Sequence, residues 1–271
     1  MTKYLPLQPP MLQNELQDAR YRYREFSPSL GLRHCVACYW TIDYLASDDS
    51  KLHRILPDGC TDIIFDLSSS ASSGGAVVSG LMTAFETMNL TGDLSLFGIR
   101  FFSHQARQFL RYPVSEFAGY HVYLEDLWGK EAERIEEEVC AAKGIPEVIE
   151  RVENLLIKLL HKEKNQTDDM LEAGVQYIQA SRGKLSIQAL AENLNYSERN
   201  VRRIFQHELG VSPKQFIDIL RFQYLLQELY GSKKTPAHFS ETAVKYGYYD
   251  QSHFIHAFKR YYGLTPNQVF T

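Results

Sequence analysis

Arg199, Arg202, Arg203 and Gln206 fall within two turns of a helix whose other face carries Val201, Ile204 and Phe205. An arginine can bond guanine O6 and N7 with both arms of its fork, and glutamine can do the same with adenine. Three arginines so close together repel one another unless an anion neutralises them, so readout of DNA is the chemistry this cluster fits. Asn200 stands among them, and Lys214 follows Pro213 at a helix start, where free N–H groups and a lysine charge suit a phosphate. A second set presents Gln251, Ser252, His253 and His256, with Lys259 and Arg260 behind, opposite Phe254, Ala257 and Phe258. The plain alternative for any one of these side chains is a solvated surface position.

Other reactive residue types are sparse. Cys35, Cys38 and Cys60, with His34, offer a thiol or metal site, and a redox- or metal-responsive regulator is the rival reading they support. Cys35 and Cys38 sit in strand-like sequence, where residues three apart point to opposite faces, and no second pair follows. Buried small hydrophobes are the simpler account. Asp58, Asp62 and Arg100 are candidate ligand-binding residues; alternatively Asp58-Gly59 is only a tight turn, capped by Asp62. No nucleophile and base, glycine-rich phosphate loop or carboxylate pair supports an enzyme. No cofactor or metal is expected.

The elements that must position these groups emerge from the 271 residues, a length suited to two domains. Hydrophobic content of 44% and charged content of 23% fit a globular chain and exclude a disordered or fibrous one. The net charge of −4 hides a division. Residues 1–170 hold 17 basic and 25 acidic side chains, and residues 171–271 hold 12 and 8. A basic carboxyl-terminal part joined to an acidic partner suggests a nucleic-acid binder with a sensor. No run approaches the roughly 20 apolar residues of a membrane span, and the amino terminus lacks a secretory pattern, so a cytoplasmic protein is expected.

The reading divides the chain into a β-rich domain with carboxyl-terminal helices over 1–161, a polar linker over 162–169 and an all-α domain over 170–271. The fold class is α+β. Strands are predicted at Val36 to Tyr44, Thr61 to Leu67, Ala76 to Leu81 and Leu94 to Phe102, and helices at Arg107 to Arg111 and Leu124 to Val139. Residues 68–75 read as a loop. Ile145, Val148, Val152, Leu155 and Leu159 form an amphipathic stripe that packs onto its own domain or mediates a homodimer through the helix 145–161.

The carboxyl-terminal region repeats at an offset of 53. Ser197, Val201, Phe205, Gly210 and Ser212-Pro213 correspond to Asp250, Phe254, Phe258, Gly263 and Thr265-Pro266. Ser197 and Asp250 suit helix N-caps, the glycines suit left-handed helix ends, and the prolines suit first helical positions. Gly183, Gly231 and Gly247 also punctuate the helical period. Two helix-turn-helix units follow, each supplying one of the outward faces described above.

The span Ala243-x3-Gly247-Tyr248-x-Asp250-Gln251-Ser252-His253-Phe254-x3-Phe258-Lys259-x3-Gly263-x-Thr265-Pro266 resembles the DNA-binding domain of AraC/XylS-type bacterial transcription regulators. The resemblance implies two helix-turn-helix units joined by a long helix from about Pro213 to Tyr230, with the family's arginine at Arg221, inserting into successive major grooves. Departures are Asn195 for the usual glycine of the first turn, Leu225 for alanine, Thr242 for isoleucine, and a long connection through residues 231–236. Tyr39-Trp40, Leu56-Pro57-Asp58-Gly59, Asp62-Ile63-Ile64-Phe65 and Gly98-Ile99-Arg100-Phe101 resemble a small β-containing domain found ahead of such units. The implied function is a sequence-specific transcription regulator, with activator as its expected output. Its expected partners are double-stranded DNA, RNA polymerase, a small-molecule effector and a second copy. A third reading replaces the effector with a protein docking on the acidic domain.

Overall fold

The computed structural model describes residues 4–8, 16, 19–46, 51–68, 75–162, 168–231 and 236–270. Among these residues, eight strands, β1 (Tyr21–Phe26), β2 (Val36–Tyr44), β3 (Lys51–Ile55), β4 (Cys60–Asp66), β5 (Val77–Ser79), β6 (Glu86–Leu90), β7 (Leu94–Phe102) and β8 (His121–Tyr123), form two sheets. One has six strands in the order β1-β2-β7-β4-β5-β8, and the other pairs β3 with β6. Every pairing described is antiparallel.

Alternation along β7 separates the two faces of the large sheet. Phe97, Ile99 and Phe101 join Tyr39, Ile63 and Phe65 in a core shared with helices α1 (Ser103–Leu110), α2 (Leu124–Trp128), α3 (Lys130–Cys140) and α4 (Ile145–Lys162). The opposite face carries Trp40, Ile42 and Leu96, which pack toward Met88 and Leu90 of β6. Gly98 stands opposite Trp40 across the β2–β7 ladder, and any side chain there would overlap the indole ring.

The apolar stripe of α4 faces inward. Val148, Val152, Leu155, Leu156 and Leu159 are buried in the chain's own core, and Glu153 accepts from the Ser29 N–H at 2.7 Å and the Tyr39 hydroxyl at 3.2 Å. Of the two readings left open for the 145–161 stripe, packing onto its own domain is the one observed, and the homodimer contact through this seam is corrected because its residues are spent on intramolecular packing. Its near-heptad spacing serves a helix lying on a sheet equally well.

Other boundaries also move. The single helix expected from Leu124 to Val139 breaks at Gly129, whose φ of 58° ends α2 before α3 begins. Strands β1, β3, β6 and β8 were not anticipated: Tyr21-Arg22-Tyr23-Arg24 and Lys51-Leu52-His53-Arg54 carry charge on every second or third position, and only their pairing partners make them strands. Residues 69–74, 163–167 and 232–235, which hold most of the expected loop, linker and long connection, lie outside the described residues.

Among the described residues, seven helices follow: α5 (Asp169–Ala180), α6 (Ile187–Leu194), α7 (Glu198–Leu209), α8 (Pro213–Tyr230), α9 (Pro236–Lys245), α10 (Gln251–Tyr262) and α11 (Pro266–Phe270). Local chemistry sets their ends. Asp168, Ser186, Ser197, Ser212 and Asp250 each accept a backbone N–H at a helix start, a cap worth about 1 kcal/mol. Ser212 and Gln215 complete a reciprocal capping box. Asn195 takes the left-handed conformation at φ 57°, doing the work of the family's glycine. Gly231 ends α8 in the right-handed region at φ −82°, unlike Gly210 and Gly263, which are left-handed at φ 71° and 86°. Leu225 and Thr242 are buried, so the core accommodates both departures.

Candidate nucleic-acid interface

Two helix pairs, α6–α7 and α9–α10, are joined by α8. Val201, Phe205 and Leu209 bury one face of α7, and Phe254, Phe258, Tyr261 and Tyr262 bury one face of α10. Phe205 meets Phe216, and Phe258 meets Phe222, so α8 supplies the floor for both units. Arg221 anchors α8 to the α5–α6 turn, its Nε donating to the Gly183 carbonyl at 2.7 Å.

Every sequence-predicted DNA contact is exposed. On α7 these are Arg199, Asn200, Arg202, Arg203 and Gln206; on α10 they are Gln251, Ser252, His253, His256, Lys259 and Arg260; Lys214 is exposed at the start of α8. Two details sharpen the picture. Arg202 pairs with Glu198 at 3.0 Å and Lys214 with Asp218 at 2.7 Å, so part of the basic charge already has an anion on its own helix. His253 is held by its turn, with Nδ1 3.4 Å from the Tyr249 N–H and its ring against Tyr248, whereas Lys259 and Arg260 occupy the last turn of α10.

The amino-terminal domain grips both α7 and α10 at their carboxyl ends, contacts that sequence reasoning missed. Arg107 of α1 pairs with Glu208 of α7 at 2.6 Å, and the Ser115 hydroxyl donates to the His207 carbonyl. Gly210, at φ 71°, lies so close to Ala118 that a methyl group would reach 2.7 Å from the alanine Cβ. At the other unit, the Phe85 N–H is 3.4 Å from the Arg260 carbonyl and its ring lies against Gly263. A third contact centres on Gln223 of α8, which is fully buried. Its Oε1 accepts from Leu7 N–H at 2.8 Å, and its Nε2 donates to the Pro57 carbonyl at 3.0 Å. A glutamine inside the apolar stripe Ile219, Leu220, Phe222, Leu226 was the signal available in the sequence.

Between the two sheets lies a cleft of about 80 Å³. Asp58, Asp62 and Arg100, separate in the sequence, come together in its wall. Arg100 donates to Asp62 through Nε at 3.2 Å and Nη2 at 3.0 Å, because the two residues are cross-strand partners on β7 and β4. Asp58 Oδ2 lies 3.4 Å from Arg100 Nε and accepts from Gln8 Nε2 at 2.6 Å, while Oδ1 accepts from the Cys60 N–H at 2.9 Å. The tight turn at Asp58-Gly59 is present, but Asp58 itself closes it; Asp62, expected as its cap, is committed to Arg100 and to Trp40 Nε1. Burial pushes the Asp58 carboxyl up, and burial together with Arg100 pulls His53 down to about 4.

The cysteines do not converge. Cys35 and Cys60 join the main core, Cys38 joins the second one, and His34 is exposed. Burial holds the Cys38 thiol up at about 12, unsuited to thiolate chemistry. Among the described residues no three His, Cys, Asp or Glu side chains are grouped to hold a metal ion.

Residues 190–271 match the model of a helix-turn-helix domain, and residues 24–123 match a domain of unknown function (DUF6597). The carboxyl-terminal part of the chain belongs to the AraC-type helix-turn-helix family. An uncharacterized HTH-type transcriptional regulator of Haemophilus influenzae is 27% identical over 139 residues, covering 46% of this chain and 45% of that protein. The HTH-type transcriptional regulator MtrA of Neisseria gonorrhoeae is 34% identical over 83 residues, covering 31% of this chain and 27% of that one. The chain thus spans under half the length of these curated relatives. Among solved structures, the C-terminal domain of AraT, a response regulator from Geobacillus stearothermophilus, is 32% identical, covers 38% of this chain and 84% of its own, and has a TM-score of 0.34. Among the described residues, no helix is long and apolar enough to cross a membrane.

Proposed function

We propose that the protein is a sequence-specific, DNA-binding transcription regulator of the AraC type, working in the cytoplasm with RNA polymerase as its downstream partner. The observation that carries this reading is the paired arrangement of α7 and α10. Each buries one face against the floor supplied by α8 and leaves its early, polar face in solvent. Arg202, Arg203 and Gln206, flanked by Arg199 and Asn200, read base edges in one major groove; Gln251, Ser252, His253 and His256 read the next. Lys214, Lys259 and Arg260 meet phosphates. The amino-terminal domain senses a small molecule in the cleft between its sheets.

The test uses the full chain. Selection from a pool of random duplexes should yield one motif, and affinity for it should fall steeply with salt as phosphate counterions are released. A folded protein that enriches no sequence at any salt concentration contradicts the reading.

A further inference from the structure

The cleft shares its walls with the segments that hold the DNA-binding domain. Leu56 and Asp58 line it on one side, and the residue between them, Pro57, accepts the Gln223 hydrogen bond from α8. Gly59, next along, packs on Leu220 and Phe216 of the same helix. Ser79, Gly80 and Met82 line the cleft further along. Gly80 N–H donates to the Tyr120 carbonyl at 3.1 Å and Gly119 N–H to the Leu81 carbonyl at 3.2 Å, which ties this wall to the segment bearing Ser115 and Ala118, where α7 ends. Three residues beyond Met82 stands Phe85, against the end of α10. A wall displaced by an occupant therefore moves against α8 and against the end of each reading helix.

The lining also selects the occupant. Trp40, Ile42, Ile55, Ile64, Met88 and Leu96 make most of the surface apolar. The charged groups are committed to one another: Arg100 is bonded to both oxygens of Asp62, and its Nη1, without a hydrogen bond among the described residues, lies 4.0 Å from Glu25 Oε1. Asp58 has partners on both oxygens, and Glu25 Oε1 accepts from the Tyr23 hydroxyl. An anion entering here meets Asp58 and Asp62 in the wall beside Arg100, with Glu25 behind the same arginine. A cation finds the carboxylates already engaged, and either charged ligand gives up hydration without gaining a free counter-charge.

We propose that this cleft binds an uncharged, largely apolar small molecule, and that its occupancy alters DNA affinity through the cleft walls held by Gln223 and Phe85. The proposal rests on reading the amino-terminal domain as a sensor and adds its ligand class and its route. The probes are 4-phenylbutanol, 4-phenylbutyrate and 4-phenylbutylamine, which share a body and differ in charge. The alcohol should raise the melting temperature of the full-length protein more than the acid or the amine does. Met88→Trp, which fills the cleft from β6, should abolish that gain. The alcohol should also shift affinity for the selected DNA motif by about fivefold or more, the scale of ordinary allosteric coupling. Gln223→Leu should reduce that shift to below about twofold while the alcohol still binds; Phe85→Ala serves the same purpose at the other wall should the first variant fail to fold. No stabilisation by the alcohol up to its solubility, or an equal shift from the acid, overturns the ligand assignment. Binding of the alcohol that leaves DNA affinity unchanged overturns the sensor reading instead. A DNA shift undiminished in both wall variants overturns the route.

Discussion

The two parts of the chain place their polar chemistry on opposite sides of the surface. In the carboxyl-terminal domain the DNA-contact candidates, from Arg199 to Arg260, point into solvent and the interior is mostly aromatic and aliphatic, with Gln223 and Thr242 among its few buried polar groups. In the amino-terminal domain the informative groups are buried: Arg100, Asp58, His53 and His104 have relative exposures of 4, 6, 5 and 9%. An exposed site leaves its imprint on sequence as periodicity, because each outward position must alternate with a buried one. A buried site is assembled across strands, and nothing in the spacing of Asp58, Asp62 and Arg100 announces that β4 and β7 bring them together.

This contrast implies that the amino-terminal domain is sensitive to changes inside it and the carboxyl-terminal domain to changes on it. The largest effect is expected from Val152→Glu. A carboxylate at this fully buried seam position should cost about 4 kcal/mol or more and unfold or aggregate the protein, instead of producing a folded monomer. Circular dichroism with sedimentation separates the two outcomes.

Next come the buried histidines. Burial holds His104 at about 4, and burial with Arg100 holds His53 at about 4, against an ordinary 6.5. Between these values the unfolded chain binds more protons than the folded one, so stability is lost as pH falls below about 6.5. From pH 7 to pH 5 each histidine should remove about 2 kcal/mol, and His104→Gln should remove about half of the combined slope in thermal melts.

On the other domain, Arg202→Ala should leave the melting temperature unchanged, weaken DNA binding by about 1 to 3 kcal/mol and relax preference at one base position. The smallest effect belongs to Lys214→Ala, which should weaken all sequences alike and lower the salt slope by about 1 in competition binding across ionic strengths. Matching sequence profiles for these two variants would erase the assigned division between base and phosphate contacts.

Much of the carboxyl-terminal architecture was legible because its signals are local. Ser197, Ser212 and Asp250 cap the helices they suggested, and Pro213 to Tyr230 is one helix as expected. The fold class and the longest strands, Val36–Tyr44 and Leu94–Phe102, were also readable from β-branched and aromatic density. Strands β1 and β3 were not, since their charged residues become strand-forming only through long-range pairing. The stripe of α4 announced a partner without saying whether that partner was another chain or its own sheet. The DNA-contact candidates were legible as outward positions; the grip on α7 and α10 was not, because Arg107, Ser115 and Phe85 acquire meaning only once the two domains pack.

The most direct test of the account is a footprint of the full-length protein on its selected DNA, repeated after half a helical turn of duplex is inserted between the protected patches. Two units carried by one rigid α8 and gripped by one amino-terminal domain should protect patches one turn, about 34 Å, apart on the same face. The insertion should abolish binding at both patches together. Undiminished affinity on the inserted duplex would contradict the claim that α7 and α10 read DNA as one fixed pair.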